Sequence, residues 1–179
     1  MISGVVILLY FQAISFDFTY DDFWQIHRND LITAPGHSIG SFITLFTTPT
    51  LPGDLFRPVP LVTYRATYLV LGLNPAAFHV FNILLYALVC CLVFRLFLSL
   101  IPSRGAPLAA TLLFAVHPVN VESVASVVGR AEMLAAFFGI LGCICLLRLL
   151  RAETRVSRYR LILVALVSLV CASLSTESA

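Results

Sequence analysis

Residues 78–101 read FHVFNILLYALVCCLVFRLFLSLI, with Arg95 the single charge in 24 residues. Spanning a bilayer takes about 20 apolar residues as a helix, and this run reaches that length alone. The rest of the chain agrees with it. Of 179 residues, 60% are hydrophobic and 11% charged, and the mean hydropathy is +0.98. Soluble domains run near 45–50% apolar and about 25% charged. These proportions exclude a soluble globule, a disordered tail and a nucleic-acid-binding domain. The net charge of +2 points to no polyanionic partner, nucleic acid included.

Four further apolar runs flank that stretch, and the reading is five spans at about 1–16, 78–101, 107–121, 133–150 and 161–176. The flanking runs are short, but short helices are tolerated where neighbours or a wet cavity satisfy the backbone. The first run lacks the basic flank and the small-residue cleavage site of a signal peptide. All five cysteines lie inside apolar runs, with neither a disulfide framework nor zinc spacing. The expected fold is therefore an all-α polytopic membrane bundle.

Arginine sets its orientation. All eleven basic residues are Arg. Arg95, Arg104, Arg148, Arg151, Arg155, Arg158 and Arg160 fall on one side with a single acid, Glu153. The other side carries Arg28, Arg57, Arg65 and Arg130 against eight acids, including Asp17, Asp30, Asp54 and Glu177. The positive-inside rule makes the Arg-rich side cytoplasmic. The long loop 17–75 is then outside or lumenal.

At 59 residues, that loop is long enough to expect a function. Ile39, Phe42, Ile43 and Phe46 recur at helical spacing, for a short helix lying either in the interface plane or on the bundle. Pro60 to Leu71, with Gly72 as its stop, reads as a second helix. Asn74-Pro75 then turns the chain into the second span. No N-x-Ser/Thr acceptor, P-loop or dinucleotide fingerprint occurs.

Ionisable residues near spans are functional candidates by default, and four clusters stand out. Tyr20-Asp21-Asp22 follows the first span. Adjacent residues point different ways on a helix or a strand, so one carboxylate is free to act as a general base while the other fixes a loop. The alternative is a solvated turn or a helix N-cap pair, since Asp is a common cap. Arg57, with Arg65 eight residues on, suits a phosphate or a loop ion pair with Asp54. His117-Pro118 ends the third run, where Pro breaks the helix and His117 is either a titrating group or a hydrogen-bonded structural one. Gly129-Arg130-Ala131-Glu132 opens the fourth run. On a continuing helix Glu122 and Arg130 sit about 80° apart and line one cavity, whereas Glu132 alone suits a first-turn position. None of the clusters has metal-ligand spacing, and no metal site is expected.

The ordered series Tyr20-Asp21-Asp22, Arg57-Pro58-x-Pro60-Leu61, Thr63-Tyr64-Arg65, Gly72-Leu73-Asn74-Pro75, His79-Val80-x-Asn82, His117-Pro118-Val119, Glu122-Ser123 and Gly129-Arg130-Ala131-Glu132 resembles the N-terminal membrane part of the transmembrane and TPR-repeat-containing proteins. Those are relatives of the protein O-mannosyltransferases in the GT-C glycosyltransferase class. The resemblance implies a GT-C-like bundle with a long lumenal first loop in the endoplasmic reticulum membrane, or the inner membrane for a bacterial relative. It implies transfer of mannose from dolichyl phosphate mannose to Ser/Thr hydroxyls of an acceptor protein, with inversion. On this chain Asp21 and Asp22 match the catalytic base motif. Arg57, Arg130 and His117 match the donor phosphate contacts. Arg65, Glu122 and Glu132 are further candidates for contacting substrate.

No cofactor is implied beyond the lipid-linked donor, and a divalent cation stays open. Ser175-Thr176-Glu177 stands where the family has Ser-Lys-Glu, which removes a cation. The family continues into further spans and a TPR array absent from these residues. The expectation is an inactive N-terminal piece that needs the remaining spans. The alternative is a non-catalytic membrane scaffold. A transporter would want mid-span charges and an internal repeat, and neither occurs.

Overall fold

A computed structural model describes residues 1–33, 39–47, 56–103, 105–152 and 154–176. Among them the regular structure is helical and no strand occurs. The expectations resting on Asp54, Arg104, Glu153 and Glu177 fall outside the described residues.

Three helices have the length and apolarity to cross a membrane: α5 (Pro75–Leu100), α8 (Arg130–Leu149) and α9 (Arg155–Ser173), of 26, 20 and 19 residues. At about 1.5 Å per residue they reach roughly 39, 30 and 28 Å. The first and third expected spans form shorter helices. α1 (Ile2–Tyr10) tightens into a 3₁₀ turn over Phe11–Ser15, and α6 covers Gly105–Val116.

The run read as one span over 107–121 is not one helix. α6 stops at Val116, and a turn through His117 and Pro118 leads into α7 (Asn120–Ala125). Pro118 is the reason, because the residue before proline is pushed out of the helical region.

The first loop folds onto the bundle. A π-helical turn at Phe23–His27 leads to α2 (Asp30–Thr33) and α3 (Ile39–Thr44). α4 (Pro58–Leu71) starts two residues earlier than Pro60, with both prolines in its first turns, where their missing N–H costs nothing. Gly72 ends it at φ +66°, a conformation that favours glycine. The Asn74 side chain accepts from the Ala76 N–H at 3.1 Å and caps α5.

The apolar stripe expected over 39–46 divides. Phe42 and the fully buried Leu45 pack inward, whereas Ile43 and Phe46 are 56% and 47% exposed.

Two apolar clusters hold these pieces. One joins α1, α5, α6 and α8 through Val6, Tyr10, Tyr86, Cys90, Ala115 and Leu134. The other joins the outer loop to α4 and α5 through Ile26, Ile32, Leu45, Leu61, Tyr64 and Phe78. They meet around Asn82 and Arg130, both fully buried.

Candidate functional site

The site is built on a break between α7 and α8. At Ser126 the backbone turns extended (φ −80°, ψ 138°), and α8 begins only at Arg130. Such a break frees backbone groups that need partners, and three other segments supply them. The Asn82 amide on α5 donates to Ser126 O and Val127 O at 2.9 and 3.3 Å. The Tyr64 hydroxyl on α4 donates to Val127 O and Val128 O at 3.3 and 3.2 Å. Burial raises the Tyr64 phenol above its ordinary pKa, so it stays a donor at physiological pH. Asp22 Oδ1 accepts from Val128 N at 2.8 Å and from Ser126 Oγ at 3.2 Å. Gly129 is required here, since a Cβ would sit 2.6 Å from Ser123 Cα and closer still to Ser123 O.

Arg130 faces inward from this break. Its Nε donates to Asn82 Oδ1 at 2.8 Å, Nη1 to the Thr63 and Thr67 hydroxyls at 3.3 Å, and Nη2 to Phe78 O at 3.1 Å. The guanidinium lies 4.2 Å from the Phe81 ring centroid and 4.7 Å from that of Tyr64. None of these partners is acidic. Neutral acceptors and aromatic faces hold the cation, a use of arginine that lysine cannot copy.

The two adjacent aspartates diverge. Tyr20, at φ +44°, occupies a conformation uncommon for a bulky residue and turns the chain sharply before them. Asp22 is fully buried against the 126–128 turn, whereas Asp21 is exposed. Asp21 lines an outward cavity of about 160 Å³ together with Gln25, Arg57, Glu122, Ser123 and Glu132. Arg57 is half-buried, and among the described residues its Nε has no hydrogen-bond partner. The Ser123 hydroxyl donates to the Glu132 carboxylate in a short hydrogen bond. A second cavity of about 210 Å³ shares Ser123 and Glu132 with the first and is otherwise walled largely by Tyr86, Val89, Phe114, Met133 and Ala136. The end of α9 reaches the same region, where Val59 N donates to Leu174 O at 3.4 Å.

Of the residues singled out from sequence, Asp21, Arg57, Glu122 and Glu132 therefore share one cavity. The other four lie outside it. Asp22 and Arg130 form its supporting wall. Arg65 is buried and donates from Nη1 to Leu31 O and Ile32 O at 2.7 and 3.1 Å. With the Tyr68 hydroxyl on Thr33 O at 3.0 Å, it satisfies the last carbonyls of α2. His117 is exposed, and its Nδ1 accepts from Val119 N at 3.2 Å. Glu122 and Arg130 do not share a helix face, because the helix does not continue between them.

The sequence reading missed the supporting role of Asn82. A buried amide inside an otherwise apolar span was its signal. Among the described residues no His, Cys, Asp or Glu group is arranged to hold a metal ion.

No protein-family profile matches the chain, and no solved structure does. Curated relatives do. The chain is 32% identical over 150 residues to the protein O-mannosyl-transferase Tmtc1 of Drosophila melanogaster, covering 81% of this chain and 16% of that protein. It is 33% identical over 150 residues to TMTC2 of Mus musculus, covering 82% and 18%. It is 32% identical over 146 residues to TMTC3 of Homo sapiens, covering 77% and 15%. The chain thus spans less than a fifth of the length of these relatives. Three apolar helices, the outward cavity and this consistent similarity lead to one assignment: the chain belongs to the TMTC family of membrane proteins, whose curated members are named protein O-mannosyl-transferases.

Proposed function

We propose that this chain forms the lumenal donor-and-acceptor cavity of an inverting mannosyltransferase in the endoplasmic reticulum membrane. The donor is dolichyl phosphate mannose and the acceptor a Ser/Thr hydroxyl of a protein. The observation that carries this reading is the convergence of Asp21, Arg57, Glu122 and Glu132, from three separate segments, on one cavity, while Asp22 is committed to holding the wall.

Asp21 is the general base. The acceptor oxygen attacks the anomeric carbon of mannose, and the bond from that carbon to the phosphate oxygen breaks. Its electron pair leaves with the lipid phosphate, and the hydroxyl proton passes to Asp21. Arg57 offsets the charge developing on the phosphate, which a guanidinium fork does well. The adjoining apolar cavity takes the first isoprene units of the donor. Glu122 and Glu132 orient the sugar and acceptor hydroxyls. Arg65, Arg130 and His117, outside the cavity, act by positioning its walls. The remaining spans of the intact protein complete the enclosure.

The test is mannose transfer by the longest product that carries this sequence. D21N is expected to lower the rate by about 10²–10⁴-fold, the usual contribution of a positioned base, with membrane insertion unchanged. Wild-type transfer by D21N would remove the base assignment, and absence of transfer by the wild type itself would favour a non-catalytic scaffold.

A further inference from the structure

We propose that the arginine-rich turn joining α8 to α9 is a binding surface for the phosphate headgroups of anionic membrane lipids. The net charge of +2 conceals how unevenly charge is placed. Arg148, Arg151, Arg155, Arg158 and Arg160 lie within 13 residues, with Glu153 the one acid among them by sequence. All five arginines are exposed. Among the described residues, one of their side chains makes a hydrogen bond: Arg158 Nε donates to Ala152 O at 3.0 Å. The guanidinium forks therefore stay available, and forks bind phosphate oxygens two at a time.

Two further features point to a membrane anion. The first turn of α9 carries no acid and contains Arg155 and Arg158. Cations sit unfavourably at the positive end of a helix, a conflict that an arriving anion relieves. Apolar side chains are interleaved with the charges at the same level: Leu150, Tyr159 and Val156 are 84%, 71% and 60% exposed. Arginines beside exposed apolar groups at the mouth of two long apolar helices match the headgroup–acyl boundary. A soluble phosphate or a nucleic acid would find no use for the apolar half. The surface also lies about 30 Å, the length of α8, from the candidate cavity, so it is separate from that site.

The experiment is lipid retention by this chain in nanodiscs of phosphatidylcholine containing a minority of phosphatidylserine, read by native mass spectrometry. Preferential retention of phosphatidylserine is expected. The preference is expected to fall by roughly fivefold for each arginine replaced by Gln, so R151Q/R155Q/R158Q should erase it while keeping wild-type helicity. The matching Arg→Lys triple should keep most of it. Equal retention of the two lipids by wild type, or undiminished preference in the folded Gln triple, would overturn the proposal. If the Gln triple does not fold, the wild-type comparison decides alone, together with a salt titration that must weaken the preference. Displacement of phosphatidylserine by millimolar inorganic phosphate would reassign the surface to a soluble anion.

Discussion

α8 carries arginine at both ends, and the two ends are built on opposite terms. Arg130 opens the helix fully buried, with four hydrogen-bond partners and three aromatic rings. Arg148, in the last turn, is exposed and followed by four more exposed arginines. At the Arg130 end the guanidinium holds the protein together. At the Arg148 end it faces whatever lies outside. A charge is costly to bury unless its partners are complete, so truncation at the two ends should differ by several kcal/mol.

The sharpest way to break that comparison is R130A. It strands the buried Asn82 Oδ1, whereas the Thr63 and Thr67 hydroxyls keep their bonds to Pro60 O and Thr63 O. Leaving that acceptor unsatisfied costs about 1–3 kcal/mol and the cavity left by the deleted side chain adds to it, so the variant should lose much of its folded fraction in detergent. A melting temperature equal to wild type would mean that these acceptors find other donors.

D22N comes next. It replaces a carboxylate that accepts from Val128 N and Ser126 Oγ. Hydrogen bonds to charged groups contribute about 1.5–3 kcal/mol. D21N, exposed in the cavity, should stay within about 0.5 kcal/mol of wild type. Thermal melts of the pair separate the supporting carboxylate from the chemical one, and equal destabilisation would merge their roles. G129A should cost about 1–3 kcal/mol by overpacking against Ser123, with hydrogen exchange accelerated first at residues 126–129. Uniform exchange along the chain would argue against a localised break. Y64F is the mildest. It removes one hydroxyl from the Val127 and Val128 carbonyls, for about 1 kcal/mol, and near-wild-type melting with intact transfer is expected.

Several elements are legible in the sequence alone. The second span follows from its uninterrupted apolar length. α4 follows from its prolines and Gly72, and the turn into α5 from Asn74-Pro75. The expected divergence of Asp21 and Asp22 follows from adjacency alone. Other readings failed where partners distant in sequence decided. The 107–121 run looked continuous because its apolar character crosses Pro118 unchanged. Arg130 looked like a cavity residue because helix spacing was carried through 126–129. Asn82, Tyr64 and Asp22 instead bind the opened backbone there and turn the arginine inward. Arg65 reads as a substrate contact, yet it donates to the Leu31 and Ile32 carbonyls, 34 and 33 residues away in the chain.

Composition and local pattern are enough to give a helical membrane protein, its longest helix, the place where arginine concentrates and the residue types available for chemistry. Hydropathy, proline and glycine act locally, and their effects are readable one segment at a time. Which charges face the cavity and which are consumed in its walls is settled by packing between segments distant in the chain. That choice depends on whether a buried polar group can find all of its partners, and here the partners come from α4, α5 and the outer loop at once.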